Sequence, residues 1–538
     1  MQNVLVFGIN GMLGFYVKLY FEDKNYNLIP VSRSDFNIDK LSRSNLKKFL
    51  KNQNFQKNEK NFVINCSGVI PQSITSHDCS YLKVNSLFPI LLQYYSKKYH
   101  YKFIHITTDC VFDGKENGNY IESSEHLEDH IYGISKSLGE VSDATMIRTS
   151  LIGEEIINHR NFLEYFKKQK NGKAVGYPNH IWNGVTCYQL VKIIQKMIEN
   201  ENLIWKGVRH IFSPASKSKY ELGEYINKIY ELNITLEKKK HYKNINRTLS
   251  TSYNTCSLFE IPDIEKQIIE QKQFFQEKIL INIGNGILFS SPFLHLVIDD
   301  CLNYTFACKL QEEILAYESE KWDRYDNPFE KKFTFNKKNP FGPEVTKLFH
   351  FLESDSFICQ LSTVFKKNLE KDSFKHYWGI HKYKNGDFLN IHLDAGIHPK
   401  MNKRKHVTFG LYLSKNWKEH NQGHLELWSG ASIADNINET ISYQLFHKEK
   451  SILPKFNRLI LFECNDFSWH GNPRPVVCNS DEIRIFVTMS YMSDDPENKN
   501  QNRRALFTSL PKEIYSPTLE NLIKVRSDNS RCSEAYKS

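Results

Sequence analysis

At 538 residues the chain is longer than one hydrophobic core supports, so at least two domains are expected. Its 40% apolar and 25% charged residues are ordinary for water-soluble globular protein, and no run approaches the roughly 18 uninterrupted apolar residues of a membrane span, which excludes a membrane partner. The net charge of +10 is spread along the chain in short runs such as Lys238-Lys239-Lys240, without basic–aromatic patterning, so no nucleic acid is expected as partner.

The first segment, MQNVLVFGINGMLG, has no basic region before its apolar run and reads as a β-strand, not a signal peptide. Eleven cysteines, an odd number without a CxxC pair, argue against a disulfide framework or a zinc knuckle and point to a reducing cytoplasm.

Up to about residue 280, the strand-like runs NVLVFG, NLIPVS, NFVINCSG and KFIHITTD alternate with helix-like segments such as SNLKKFLKN and SLFPILLQYYSKKY. This predicts an α/β domain (1–280) with a doubly wound parallel sheet of Rossmann type. Gly8, Asn10, Gly11, Met12, Leu13 and Gly14 form a glycine-rich turn directly after the first strand, placed to cradle a pyrophosphate at a helix N-terminus. After the second strand, Arg33 stands where an acidic residue would take a ribose 2′-hydroxyl. It suits a 2′-phosphate, favouring NADPH over NADH, the alternative being a solvent-facing loop arginine.

Tyr132 and Lys136 have the YxxxK spacing that puts both on one helix face. The spacing also occurs at Tyr20/Lys24, Tyr94/Lys98, Tyr188/Lys192 and Tyr317/Lys321. Only Tyr132 follows a strand ending in Ile106-Thr107-Thr108-Asp109. A nearby ammonium would make the phenol a better acid, so Tyr132 can protonate a ketone oxygen, Thr108 can hydrogen-bond it, and Lys136 can grip the nicotinamide ribose.

With GINGMLG, VINCSG, TTDCVFDG, YGISKSLGE, IRTS, NGVT and RTLST in view, residues 1–275 resemble the extended short-chain dehydrogenase/reductases, most closely dTDP-4-dehydrorhamnose reductases. The resemblance implies NADPH-dependent reduction of a 4-keto sugar nucleotide, with Thr108, Tyr132 and Lys136 catalytic, Cys66, Ser67 and Gly68 at the cofactor, and Thr108 and Asp109 at the substrate. Cys110 and Leu151 replace residues that are usually aromatic in that family, which leaves the particular sugar open. The fold is also similar to regulatory subunits of methionine adenosyltransferase, so a non-catalytic sugar-nucleotide- or partner-binding module is the alternative.

Past SSPFLHLVIDD, a helix near Tyr304–Ser319 and a Pro/Asn/Lys-rich connection, DNPFEKKFTFNKKNPFGP, lead into strands HVTFGLYLS, HLELWSG, NRLILFEC and IRIFVTMSYM. A mainly β domain, sandwich or barrel, is expected over 290–494, and a polar, loosely attached tail over 495–538. His392 and Asp394 alternate onto one face of a strand, and His470 follows a later one. Two imidazoles and a carboxylate form the facial triad of non-haem Fe(II). Arg484 starts the final strand and can fork onto a carboxylate.

This segment resembles the 2-oxoglutarate/Fe(II) dioxygenases, particularly the prolyl 4-hydroxylase-like group, through YxxGxxLxxHxD, LYL, GHLELW, WHG and RIFVT. The resemblance implies a double-stranded β-helix (jelly roll), iron on His392, Asp394 and His470, and 2-oxoglutarate anchored by Arg484 with Tyr412 and Tyr383. O2 is the co-substrate and ascorbate a candidate accessory reductant. His381, His398, His406, His420 and His447 are expected to be structural or exposed. The sequence assigns no oligomeric state.

Overall fold

The computed structural model describes residues 2–22, 24–71, 78–115, 117–155, 160–394, 396–431, 445–494, 504–508, 510, 517–528 and 530–531. The chain divides into two compact units at Lys278/Ile279.

The first unit is built on β1 (Gln2–Phe7), β2 (Tyr26–Val31), β3 (Asn61–Asn65), β4 (Lys102–Thr108), β5 (Thr145–Thr149) and β6 (Gly207–His210). They form one parallel sheet in the order β6-β5-β4-β3-β1-β2. Every residue of β3 and β5 is buried, as expected of strands covered by helices on both faces. Leu5, Phe7, Val63, Phe88, Leu92 and Met146 share one core cluster. The chain steps from β1 to β2 on one side and returns to β3 on the other. The carboxyl ends of β1 and β3 therefore flank the point where strand order reverses, where such sheets open a crevice. A second core cluster includes Phe166, Leu222, Ile226 and Ile268.

The second unit curls fourteen antiparallel strands into a half-barrel of jelly-roll type. Those that matter here are β7 (Glu330–Phe335), β8 (Gly379–Tyr383), β9 (Phe388–Leu393), β10 (Arg404–Tyr412), β11 (Leu425–Gly430), β12 (Arg458–Glu463), β13 (Trp469–Asn472) and β14 (Arg484–Ser493). They neighbour one another in the order β12-β10-β14-β8-β7-β9-β13-β11.

Two expectations are corrected. The Pro/Asn/Lys-rich stretch is not mere connection: Trp322–Asn327 and β7 form a hairpin turning at Pro328–Phe329, and β7 joins the main sheet. Nor is the polar C-terminal stretch loose where it is described. Leu506–Phe507 (β15) pairs with β9, and helix Pro517–Ser527 buries Ile523 in a cluster with Phe329, Ile391 and Trp469. A few apolar residues among many polar ones suffice, because each lands on the core. Residues 495–503, 509, 511–516, 529 and 532–538 lie outside the described residues.

Among the described residues, no helix is long and apolar enough to cross a membrane.

Candidate functional site

In the first unit β1 runs through a tight turn into α1 (Met12–Phe21). Gly8 has φ of +79°, and a Cβ there would come within 2.7 Å of the Ser67 amide. A Cβ on Gly14 would come within 2.1 Å of the Gly8 carbonyl oxygen, so glycine is what allows helix and turn to pack this closely. No side chain caps α1, which suits an incoming pyrophosphate. Gly11, Met12 and Leu13 line a cavity of about 760 Å³. It is shared by Cys66 and Gly68 after β3, Thr108 and Asp109 at the end of β4, and Tyr132 and Lys136 on α2 (Ile131–Leu138).

Thr108 Oγ1 donates to Asp109 Oδ1 at 3.1 Å and accepts from the Cys110 amide at 3.2 Å. Lys136 is buried, and burial pushes its ammonium down to about 8. The Tyr132 phenol is pushed above its ordinary value by burial and then by Cys110, while the Thr108 hydroxyl pulls the other way. Burial, and not an acidifying ammonium, therefore sets the direction for this phenol.

Gly8, Gly14 and Ser67 pack the turn behind the cavity, and neither they nor Asn10 line it. Arg33 also stands apart, its side chain 80% exposed and 3.7 Å from Asp39. Lys24, Lys192 and Lys321 lie over their partner tyrosine rings at 4.2, 4.9 and 5.8 Å, outside the cavity. Sequence reasoning gave no role to Arg247 of RTLST. It lines the cavity, donates to the Phe112 carbonyl at 2.7 Å and pairs with Glu128.

In the second unit β13 sets His470 directly opposite His392 of β9, with imidazole centroids 4.5 Å apart. Nε2 of His392 lies 3.8 Å from Asp394 Oδ1, and Nε2 of His470 lies 3.8 Å from Oδ2. The three candidate ligand atoms fall within 4.8 Å of one another. Each remaining ring nitrogen is committed: His392 Nδ1 donates to the Asn390 carbonyl at 2.9 Å and His470 Nδ1 to that of Ser468 at 2.8 Å. That leaves both Nε2 atoms as bare lone pairs turned to the site.

Burial, then His470, pushes His392 down to about 3, and burial lowers His470, so both imidazoles are neutral, as metal binding requires. Burial opposes ionisation of Asp394, but Lys405 foremost and then the two imidazoles hold its carboxyl well below the usual range. Lys405 Nζ lies 2.8 Å from Oδ2, and the Thr408 hydroxyl donates to the same oxygen at 3.1 Å. A shift of register between Lys405 and Val407 marks a bulge in β10, which brings Lys405 and Thr408 to one carboxylate. The donor set fits Fe(II).

Arg484, opposite Tyr383 in the β8–β14 ladder, is 2% exposed. Among the described residues its Nε and Nη1 have no hydrogen-bond partner, and the Tyr412 hydroxyl acts on the same guanidinium. The Tyr383 and Tyr412 rings lie 4.6 and 5.1 Å from the guanidinium carbon. A buried guanidinium with idle donors is costly unless an anion completes it, which fits a carboxylate of 2-oxoglutarate. Arg484, both tyrosines and the three metal-ligand candidates line one cavity of about 250 Å³.

The other histidines divide. His398 is buried against Asp372 at 3.0 Å and His406 against Glu463 at 3.4 Å, while His420 and His447 are exposed. His381 departs from expectation: it lines the iron-site cavity, with Nδ1 3.1 Å from Thr334 Oγ1.

Residues 1–255 match the family described as RmlD substrate binding domain, and residues 378–503 match the 2OG-Fe(II) oxygenase superfamily. The chain is 29% identical over 161 residues to the spore coat polysaccharide biosynthesis protein SpsK of Bacillus subtilis (strain 168). That match takes in 28% of this chain and spans only about half, 54%, of the relative. Among solved structures, a dTDP-4-dehydrorhamnose reductase from Clostridium acetobutylicum is 20% identical, with TM-score 0.43, over 51% of this chain and 100% of that one. One from Bacillus anthracis, in complex with NADP, is 20% identical, with TM-score 0.44, over 52% and 100%.

Proposed function

We propose that this chain, which joins an RmlD substrate-binding domain like that of dTDP-4-dehydrorhamnose reductases to a 2OG-Fe(II) oxygenase domain, is a bifunctional oxidoreductase. The first unit would reduce a 4-keto-6-deoxy sugar nucleotide with NADPH, and the second would hydroxylate a partner compound of nucleotide-sugar or surface-glycan metabolism. The observation that carries the reading is that, in each unit, cofactor-anchoring and reacting groups line one cavity. The polysaccharide role in the printed name of the Bacillus subtilis relative supports the metabolic setting.

When bound, NADPH supplies a hydride, and Fe(II) with 2-oxoglutarate supplies the oxidising power drawn from O2, leaving succinate and CO2. The rest falls to the chain. Tyr132 holds the proton that the carbonyl oxygen takes up, Thr108 orients that oxygen, and Lys136 places positive charge beside the phenolate left behind. In the second unit His392, Asp394 and His470 would hold the iron, and Arg484 with Tyr412 the distal carboxylate of 2-oxoglutarate.

The test is the full chain assayed for NADPH oxidation with candidate 4-keto sugar nucleotides, and separately for succinate from 2-oxoglutarate. No NADPH oxidation with any such sugar would leave the first unit a binding module. No succinate and no iron binding would remove the oxygenase.

A further inference from the structure

The charges around the oxygenase cavity do not balance. Among the described residues lining it are four cationic side chains, Lys332, Lys337, Lys405 and Arg484, and a single carboxylate, Asp394. Three of the four cations have an assignment. Lys405 pairs with Asp394 at 2.8 Å, Lys332 pairs with Glu330 at 2.7 Å, and Arg484 has its idle donors beside Tyr412, where 2-oxoglutarate is proposed to bind.

Among the described residues Lys337, which is exposed at the mouth of the cavity, makes no ion pair. Its ammonium donates to two backbone carbonyls, of Lys375 at 3.0 Å and His376 at 2.7 Å, which hold it at the cavity without neutralising it. The nearest acid acting on it is Asp372, and that carboxylate is engaged by His398 Nε2 and the amides of Phe374 and Tyr377. The surroundings of Lys337 are basic as well: Lys375 lies over the Trp378 ring at 4.6 Å, and Arg504 acts on His376.

Space is available on the same side. Along β8 and β14, Tyr383 faces Arg484, His381 faces Phe486 and Gly379 faces Thr488, so one strand face leads from the guanidinium toward Trp378 and Lys337. A Cβ on Gly379 would meet no atom within 4 Å. His381 Nδ1 is used by Thr334 at 3.1 Å, and its ring lines the cavity.

We propose that the oxygenase acts on a phosphate-bearing sugar, whose phosphate is taken by Lys337 and whose body lies along the Trp378–His381 side of the cavity. A dianion suits a fixed ammonium in basic surroundings, and a neutral peptide does not. The inference rests on the oxygenase reading, and its test separates the two.

Full-length protein with Fe(II) and 2-oxoglutarate is first examined anaerobically for the visible charge-transfer band of the iron–2-oxoglutarate chelate. Absence of the band counts against the oxygenase reading itself. With the band present, 2-oxoglutarate turnover in air is measured against a hexose 1-phosphate, a nucleoside diphosphate hexose, the methyl hexoside and a proline-containing peptide. One or both phosphorylated probes should change turnover and the methyl hexoside and the peptide should not; which one acts tells a free sugar phosphate from a sugar nucleotide. Lys337→Ala should raise the half-saturating concentration of the active probe at least tenfold with the band intact, and Lys337→Arg should restore most of the response. An equal response to the neutral sugar or the peptide, no response to either phosphorylated probe, or an unchanged half-saturation in Lys337→Ala would overturn the proposal.

Discussion

The ammonium of Lys405 lies 2.8 Å from Oδ2 of Asp394, the oxygen that Nε2 of His470 approaches at 3.8 Å. A buried cation thus steadies the only carboxylate of the candidate metal site. Removing it withdraws a charge that repels iron, but it also frees the carboxylate to turn. Loss of such an orienting partner typically costs about 10–100-fold in metal affinity. Lys405→Met is therefore expected to weaken Fe(II) binding by about tenfold or more, read from anaerobic titration. Iron binding as tight as in the wild type would reduce Lys405 to a neutralising charge.

Asp394→Ala should abolish iron binding and with it the visible band, since two neutral imidazoles alone hold the cation poorly. Arg484→Ala should keep iron yet need far more 2-oxoglutarate, because the distal carboxylate loses its two-pronged partner. A full band at the wild-type 2-oxoglutarate concentration in Arg484→Ala would refute the anchoring role.

Tyr132→Phe removes one hydroxyl from the reductase cavity and leaves the glycine turn untouched. Turnover on an established substrate should fall about 10²–10⁴-fold, the scale of general-acid catalysis, with NADPH affinity nearly unchanged. Wild-type turnover would show that another group supplies the proton.

Burial holds Lys136 at about 8, below the ordinary lysine value, so its charge is lost early as pH rises. NADPH should bind the free enzyme more weakly as pH climbs through about 8, and Lys136→Met should flatten that part of the profile. Stability carries the opposite sign. Between about pH 8 and the ordinary lysine value the unfolded chain binds more protons at this position, so its contribution to folding improves as pH rises. Calorimetry of wild type and Lys136→Met across that window separates the two effects.

Arg33 is exposed and only loosely paired with Asp39, free to swing onto a 2′-phosphate. Arg33→Ala should weaken NADPH binding much more than NADH binding. Equal losses for both cofactors would identify it as an ordinary surface arginine.

Much of the architecture was legible from residue order alone. The period-two placement of His392 and Asp394, the glycine turn after β1 and the Tyr132/Lys136 pair need only local geometry, and the structure brings each group to a cavity. The missed features depend on distant partners. Lys405 reaches Asp394 beside a bulge in β10, a one-residue slip that alternation does not reveal. His381 gains meaning from facing Phe486 across a ladder of long sequence separation. The hairpin ending in β7 hides behind Asn, Pro and Lys residues that usually mark loops, and the late segment 506–507 has an apolar run too short to register before its strand partner is known.

That late segment also bears on the order of assembly. β15 pairs Phe507 with His392 on the edge of β9 away from His470. While the chain is being synthesised, that edge stays open until more than a hundred further residues have emerged, on the order of ten seconds at typical elongation rates. An open edge is exposed to wrong pairing. The strand that carries His392 therefore gains its last neighbour only after every other described strand has been made.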